Sequence, residues 1–404
     1  MARQPLTVIA KIKPGQEDAL RTILEAIASD LFDNPYLKLA RSLKTHFLRL
    51  ALITDPDNGP RLLVTGNFDG RLSAYLDELA QLGPDMDQIW NKCEGYQGRS
   101  RFAEFIEANS LKAQSVFIAV RRETVQNVRT RIAIREKIQQ VLDGEAIAPY
   151  LDDPKQVKAA LNRIFRLQRQ PSVWRLAGLT GLRLWLLIGD AFSLIVDTLR
   201  RGALALVLLL GRILGKPEQR RITGEYIGVE VDQERTRTLL RAETVEGINH
   251  LHLLSTVRPG RRLRLKIVLF LADITFRFLF PPGFLADIRT IHFAHWVLVD
   301  GGKRLLFVTH YDNSFDNYLG DFADRAETGL NSIWNNVEGY PIAGGADLVG
   351  FKQFFRNDQQ LPSQVFYKAY PSVSVQNRIR DRDLTQALVD ELDQTQVEDW
   401  LTFL

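Results

Sequence analysis

The hydrophobic positions of this chain change period in a fixed order, and that order occurs twice. Residues 6–13 alternate between apolar and polar side chains, as a strand does, whereas residues 16–32 place apolar side chains at helical spacing. Two further alternating segments, 45–54 and 61–68, flank the turn sequence DPDNG, which is typical of a β-hairpin. A helix, a short helix and a strand complete the β-α-β-β-α-β order of a ferredoxin-like unit, at 71–82, 102–109 and 114–120.

The second half of the chain repeats the first in sequence as well as in pattern. The segment 46–96 returns as the segment 292–340, with His-Phe at its start and Glu-Gly-Tyr at its end. We therefore predict an α+β fold in which two tandem ferredoxin-like repeats, residues 1–149 and 236–404, form a pseudo-dimeric α+β barrel. Two separate domains and one continuous sheet are the alternatives.

Residues 150–235 have no counterpart elsewhere in the chain and separate the two repeats. Within their most apolar part, 173–214, the longest uncharged run is Gly202–Gly211, which is short of the ~20 apolar residues that a spanning helix needs. Basic residues outnumber acidic ones around this part, and basic flanks favour a helix on an anionic membrane surface. For this helical insert we predict membrane contact by Trp185, Arg200, Arg201 and Leu208.

The first helix of the second repeat leads to the same prediction. Residues 261–285 begin with a basic cluster and continue with apolar side chains on nearly every face, whereas the equivalent helix of the first repeat has a solvated acidic face. We predict further membrane contacts at Arg261, Arg262 and Phe278. Self-association through this surface, as a homo-oligomer, is the alternative, and a re-entrant pair or a plain core helix would also account for the pattern.

Composition indicates the cellular setting. The chain has a net charge of +4 and one cysteine, Cys93, so an intrachain disulfide is excluded, which fits a reducing compartment. The first residues lack the apolar segment of a signal peptide. Because the basic segments are interleaved with aliphatic rather than aromatic residues, they favour lipid over nucleic acid as a partner. We expect a peripheral protein on the cytoplasmic side of a membrane.

Five residues on the predicted strands are candidates for chemistry. His46 and His292 occupy equivalent positions on an otherwise apolar face, which suits either a hydrogen-bonded core histidine or a cofactor ligand. Arg49 and His295 are also equivalent and lie on the opposite face beside aromatic residues, either as anion-binding groups or as satisfied structural groups. His310 lies at the end of a later strand. Neither H-E-x-x-H nor a paired Cys/His spacing occurs, so a zinc site has no motif support.

The sequence Gly66-Asn67-Phe68-Asp69-Gly70 resembles the G-x-x-D-G motif at the distal site of dye-decolourising peroxidases, which are haem enzymes built from two ferredoxin-like halves. The duplication also resembles that superfamily and its chlorite-dismutase-like relatives. The resemblance implies haem as a cofactor. We expect its axial ligand to be His292, His310 or His46, because these histidines lie on or at the end of the predicted strands.

The same resemblance implies proton transfer by Asp69 and by Asp312, its counterpart in the second repeat, together with Arg49 and His295. Alternatively, both aspartates cap the helices that follow them. Two functions therefore stand side by side. One is a haem-dependent, peroxidase-like oxidoreductase that acts on a hydrophobic or lipid-derived substrate at a membrane surface. The other is a non-catalytic, membrane-associated scaffold or lipid-binding barrel.

Overall fold

The structure, a computed structural model, describes residues 3–55, 58–143, 154–165, 233–243 and 247–389. These residues form an α+β fold with two four-stranded antiparallel sheets. The apolar helix predicted over 173–214 lies outside them, and so do its predicted membrane contacts Trp185, Arg200, Arg201 and Leu208.

The chain divides into two compact units. The first comprises residues 1–126 and 208–375 and contains both sheets. The second comprises residues 127–207 and 376–404. Among the described residues of the second unit, a salt bridge joins Arg135 to Asp381, with 3.0 Å between Nη1 and Oδ1.

The first repeat follows the order of elements that its hydrophobic pattern predicts. Strand β1 (Arg3–Lys11) leads through a Pro-Gly turn to helix α1 (Glu17–Ser29). The buried side chains of α1 recur every three to four residues and face the sheet: Leu20, Ile23, Leu24 and Ile27. The later elements are β2 (Thr45–Asp55), β3 (Gly59–Asp69), α2 (Leu72–Gln81), α3 (Asp87–Trp90), α4 (Phe102–Ala108), β4 (Ser115–Ile118), α5 (Val125–Leu142) and α6 (Pro154–Phe165).

The second repeat has the same order, so the duplication in the sequence is also a duplication of structure. His292 is the second residue of its strand, as His46 is of β2, and Trp334 ends a helix as Trp90 ends α3. The elements are α7 (Gln233–Ala242), β5 (Ile248–Thr256), α8 (Arg262–Ile274), β6 (Ile291–Val299), β7 (Arg304–Asp312), α9 (Phe315–Arg325), α10 (Glu327–Trp334), α11 (Leu348–Gln353), β8 (Val365–Lys368) and α12 (Val375–Val389). A π-helical segment, Thr275–Leu279, continues α8.

Two features differ from the pattern-based assignment. The segment at about 315–330, which is the counterpart of the helix predicted at 71–82, forms two helices and not one, because Ala326 leaves the helical conformation with φ −127° and ψ 16°. Helices α5 and α12, which follow the fourth strand of each repeat, were not predicted. Their charged residues are spread around the helix, so they lack the one-sided apolar stripe that identifies a helix packed on a sheet.

The fourth strand of each repeat belongs to the sheet of the other repeat. The strand orders are β1-β3-β2-β8 and β4-β6-β7-β5. Strand β8 pairs with β2, and β4 pairs with β6, which is the counterpart of β2 in the second repeat. Neither repeat therefore forms a self-contained βαββαβ sheet, because each repeat supplies the fourth strand of the other repeat's sheet.

The two sheets pack face to face through side chains that alternate along their strands. Ala51, Ile53 and Leu63 of the first sheet form one apolar cluster with Val297, Val299, Leu306 and Val308 of the second sheet. The opposite face of the first sheet packs on its helices through residues of the other parity. Each sheet is thus buried on both sides, and polar groups that point between the sheets lie in the interior of the fold.

The exchange of strands predicts that neither repeat folds alone as a monomer. Residues 1–149 and 236–404, expressed separately, should be unfolded or self-associated, because each lacks the strand that completes its sheet. Mixing the two should restore a folded 1:1 complex, measured by circular dichroism and light scattering. A folded monomer of either repeat would contradict the exchange.

Candidate functional site

A histidine and an aspartate are hydrogen bonded to each other in the interior of each repeat. In the first, Nε2 of His46 lies 3.0 Å from Oδ1 of Asp69, and its Nδ1 lies 2.8 Å from the hydroxyl of Tyr370. The other carboxylate oxygen of Asp69 accepts the backbone N–H of Val125, the first residue of α5, at 2.7 Å. The pair therefore joins two adjacent strands to the start of a helix that is distant in sequence.

The second repeat has the same arrangement. Nε2 of His292 lies 2.7 Å from Oδ1 of Asp312, and Oδ2 of that aspartate accepts the N–H of Val375, the first residue of α12, at 2.9 Å. Each histidine lies at a register shift between its strand and the neighbouring strand. Such an irregularity re-aims a side chain, which brings the imidazole to the carboxylate.

The interpretation that both aspartates cap the helices directly after them is wrong. The N-cap residue of α2 makes no side-chain cap, and Ser314 caps α9 instead. Asp69 and Asp312 bind the first N–H groups of α5 and α12. Each aspartate therefore caps a helix that is distant from it in sequence, and the local sequence pattern does not reveal this.

Arg49 lies between the sheets, on the same face of β2 as Phe47. Its side chain is fully buried, and Nε and Nη2 both donate to the hydroxyl of Ser363, at 3.1 and 2.6 Å. Among the described residues, Nη1 has no hydrogen-bond partner and no carboxylate forms an ion pair with this guanidinium. Burial lowers its pKa well below the usual value. Arg49 is thus a buried cation to which the described residues supply no counter-charge.

Three buried histidines face the same space from the second sheet. His252 contacts Thr65 (Nε2 to Oγ1, 2.5 Å) and His295 contacts Thr7 (Nε2 to Oγ1, 3.2 Å). Nδ1 of these two histidines and both ring nitrogens of His310 have no hydrogen-bond partner in the part of the chain that the structure describes. Burial is the first cause that lowers the pKa of all three, and the Arg49 cation is the second. The pKa of His295 falls to about 3, so this imidazole is neutral at neutral pH.

Aromatic rings surround these polar groups. The ring of His310 stacks on Phe47 with centroids 4.4 Å apart, and the ring of Phe366 lies beside both, 5.7 Å from His310 and 6.4 Å from Phe47. His250 lies 4.1 Å from the ring of Phe366, and the Arg49 guanidinium lies over the same ring at 5.8 Å. Nζ of Lys368 is 5.2 Å from it, and burial lowers the pKa of this ammonium group. Phe366 is therefore at the centre of a cluster that contains two cationic side chains and two imidazoles, packed against aromatic rings.

The duplication provides an internal comparison for this cluster. The cross-strand pair Arg49–Phe366 corresponds to His295–Val116 in the other sheet. The pair His250–His310 corresponds to Pro5–Asn67. The fold thus has two pseudo-equivalent positions between its sheets, and only one of them combines the guanidinium, the ammonium group and the phenyl ring.

A narrow cleft lies beside two residues that contact this cluster, His250 and Ser363. Its wall also includes the ion pair between Arg356 and Glu243 (2.8 Å). The cleft has a volume of about 20 Å³. A water molecule needs roughly 10–15 Å³ by this measure, so the space suits a ligand of a few atoms.

The structure brings together only some of the residues that the sequence singles out. Arg49, His295 and His310 share the space between the sheets, whereas His46 with Asp69 and His292 with Asp312 form the separate bonded pairs. Sequence reasoning missed several members of the cluster, namely Thr7, Thr65, His250, His252, Ser363, Phe366 and Lys368. The alternation of β5, which puts His250, His252 and Leu254 on one face, is the signal that would have identified the two histidines.

Two of the three histidines proposed as haem ligands are engaged elsewhere. Both ring nitrogens of His46 are hydrogen bonded and Nε2 of His292 is hydrogen bonded to Asp312, whereas neither ring nitrogen of His310 has a partner among the described residues.

The volumes of the cavities also argue against a haem site in this conformation. Pockets for cofactors measure roughly 300–1,000 Å³, far more than the cleft beside His250. In the described part of the chain, two larger cavities of about 410 and 490 Å³ are lined by no histidine. Among the described residues, no group of three His, Cys, Asp or Glu side chains is arranged to hold a metal ion.

No protein-family model matches the chain, and the searches of curated proteins and of solved structures found no match either.

The distant caps predict a loss of stability when a carboxylate is removed. Asp69→Asn and Asp312→Asn should each lower the free energy of unfolding by about 1–3 kcal/mol, because a buried charged hydrogen bond is lost. Asp33→Asn is the matched control: its carboxylate is 59% exposed and pairs with Lys38 at the surface. The control should change stability by less than about 0.5 kcal/mol, measured by urea unfolding. Equal effects at Asp69 and Asp33 would contradict the role of the cap.

The buried histidines predict a stability that falls in acid. His295 has a pKa of about 3 in the folded protein against 6.5 ordinarily, so the unfolded chain binds more protons between these values. The free energy of unfolding should therefore be constant above the ordinary pKa and fall below it, by up to about 1.4 kcal/mol per pH unit for each histidine.

Urea unfolding from about pH 7 to pH 4 measures this slope. His295→Gln removes one titrating group and should make the slope shallower than that of the wild type. A variant with an unchanged slope would show that His295 titrates normally in the folded protein.

Proposed function

We propose that the protein binds a small anion, a carboxylate or inorganic oxyanion of a few atoms, between its two sheets at Arg49. The observation that carries the proposal is the fully buried guanidinium without a carboxylate partner among the described residues. The proposed fold around this site is the pseudo-dimeric α+β barrel, which the face-to-face packing of the sheets supports.

Electrostatics favours an anion at this position. Arginine stays protonated in proteins, so burial of Arg49 leaves a charge in a region of low polarity. A buried ion costs several kcal/mol unless a counter-charge and hydrogen bonds compensate it. The hydroxyl of Ser363 supplies hydrogen bonds but no charge. An anion at Nη1 would supply both.

The neutral histidines suit the same ligand. A neutral imidazole has one N–H donor, and Nδ1 of His252, Nδ1 of His295 and both ring nitrogens of His310 lack partners among the described residues. Each imidazole therefore has at most one N–H to donate to a ligand oxygen, and the second nitrogen of His310 is an acceptor. The phenyl rings exclude water, which strengthens the attraction between the guanidinium and the anion.

The oxidoreductase function stays a prediction that the described geometry does not support. An absorption spectrum of protein expressed with ample haem tests it. A Soret band would favour the oxidoreductase, and a colourless protein would favour a binding protein without haem.

The anion proposal predicts an unusual effect of removing Arg49. In a buffer that contains none of the test anions, Arg49→Met should leave the free energy of unfolding unchanged or raise it by about 1–4 kcal/mol. The reason is that an uncompensated buried charge is replaced by an apolar chain of similar length. In the wild type, a bound anion at 100 times its Kd should raise the free energy of unfolding by about 2.7 kcal/mol. The variant should show no such increase.

Arg61→Met is the matched control, because Arg61 is also buried but pairs with Asp300 at 2.8 Å. This variant should lose about 1–3 kcal/mol, because Asp300 keeps its ion pair with Arg304 (2.6 Å), and it should keep the anion response. The measurement is thermal unfolding with formate, acetate, bicarbonate or phosphate added in turn. An Arg49 variant that is as unstable as the Arg61 variant, in a protein that responds to none of these anions, would show that Arg49 is structural.

A further inference from the structure

Helix α8 exposes an apolar strip that the rest of the described fold leaves uncovered. Leu263 is 70% exposed, Ile267 48% and Phe270 63%, and their spacing places them on one side of the helix. Phe278, in the π-helical segment that continues α8, is 68% exposed. The opposite side of α8 is buried through Leu265, Val268 and Leu269.

The first repeat shows that this exposure is a property of α8 and not of the fold. Helix α1 occupies the equivalent position and buries Leu20, Ile23 and Leu24, which match Leu265, Val268 and Leu269. At the positions of Leu263, Ile267 and Phe270, however, α1 has Asp18, Thr22 and Glu25. The packed face is kept in both helices, while the outer face changes from polar to apolar.

The charge around the strip also reverses. Exposed basic residues border it, namely Arg262, Lys266 and Arg277, and Arg262 stands where α1 has Glu17. The acidic residue of α8, Asp273, is bonded to Arg277 at 2.7 Å and to the N–H of Val116 at 3.1 Å. An apolar strip bordered by cations is typical of a helix that lies in the plane of an anionic membrane surface.

We propose that α8 and the segment to Phe278 form a docking surface for a membrane that contains anionic lipid. The side chains of Leu263, Ile267, Phe270 and Phe278 enter the apolar part of the interface, and Arg262, Lys266 and Arg277 reach the head groups. No helix in the described part of the chain is long and apolar enough to cross a membrane. Of the basic residues predicted here, Arg262 is exposed at the surface and Arg261 is half-buried.

Charge distinguishes this partner from a second copy of the chain. A symmetric dimer through α8 would bring the same basic border of two copies together, whereas anionic head groups neutralise it. The proposal is independent of the anion site at Arg49, because it rests on residues of a different surface.

The experiment uses the full chain and two kinds of vesicle, phosphatidylcholine alone and phosphatidylcholine with phosphatidylglycerol. The test variant is Leu263→Asp with Ile267→Thr and Phe270→Glu, which installs the residues that α1 has at these positions. The control variant is Phe32→Glu with Leu43→Asp and Val349→Thr, at side chains that are 60%, 52% and 68% exposed. Circular dichroism checks that both variants keep the fold.

Wild type and control should float with the phosphatidylglycerol vesicles and bind the neutral vesicles more weakly. The test variant should partition about tenfold less or lower, since three apolar side chains no longer enter the lipid. Equal flotation of the test variant, no flotation of the wild type, or equal binding to both vesicles would overturn the proposal. A wild-type dimer that the test variant converts to a monomer, without vesicle binding, would assign the strip to self-association.

Discussion

The burial of polar groups between two sheets is the constraint on which this structure depends. Each sheet contains a strand from the other repeat, so the sheets are held face to face and solvent is excluded from the residues that point between them. A guanidinium placed there needs a counter-charge that the described residues do not provide. The packing that stabilises the fold therefore also buries the charge of Arg49. That charge requires a counter-ion, and the proposed function follows from this requirement.

The duplication helps to separate structure from function, because features common to both repeats maintain the fold. The bonded pairs of His46 with Asp69 and of His292 with Asp312 occur in each repeat and hold the start of a helix. The cluster around Phe366, which combines Arg49 of the first repeat with residues of the second, has no equivalent at the pseudo-symmetric position, and the apolar strip of α8 occurs in one repeat only. Differences between duplicated positions mark residues that packing alone does not require, and both proposals rest on such differences.

The sequence predicts what is local and repeated. Alternation and helical spacing indicate the strands and α1, and the matching segments reveal the duplication. The destination of β4 and β8 is not predictable in this way, since strands of four residues carry no information about which sheet they join. The bonds from Asp69 and Asp312 to the distant Val125 and Val375 are hidden for the same reason. For His250 and His252, which lie close to the insert, the alternation along β5 is the signal that places them on the face of Leu254.

The central claim is that the counter-charge of Arg49 is a bound anion. Nitrogen NMR of the arginine side chains tests it most directly, with the Arg49 signal assigned by its loss in Arg49→Met. Titration with formate, bicarbonate or phosphate should shift the Arg49 signal in a saturable way and leave that of Arg61, which is paired with Asp300, in place. An Arg49 signal that no anion moves at any concentration would contradict the account.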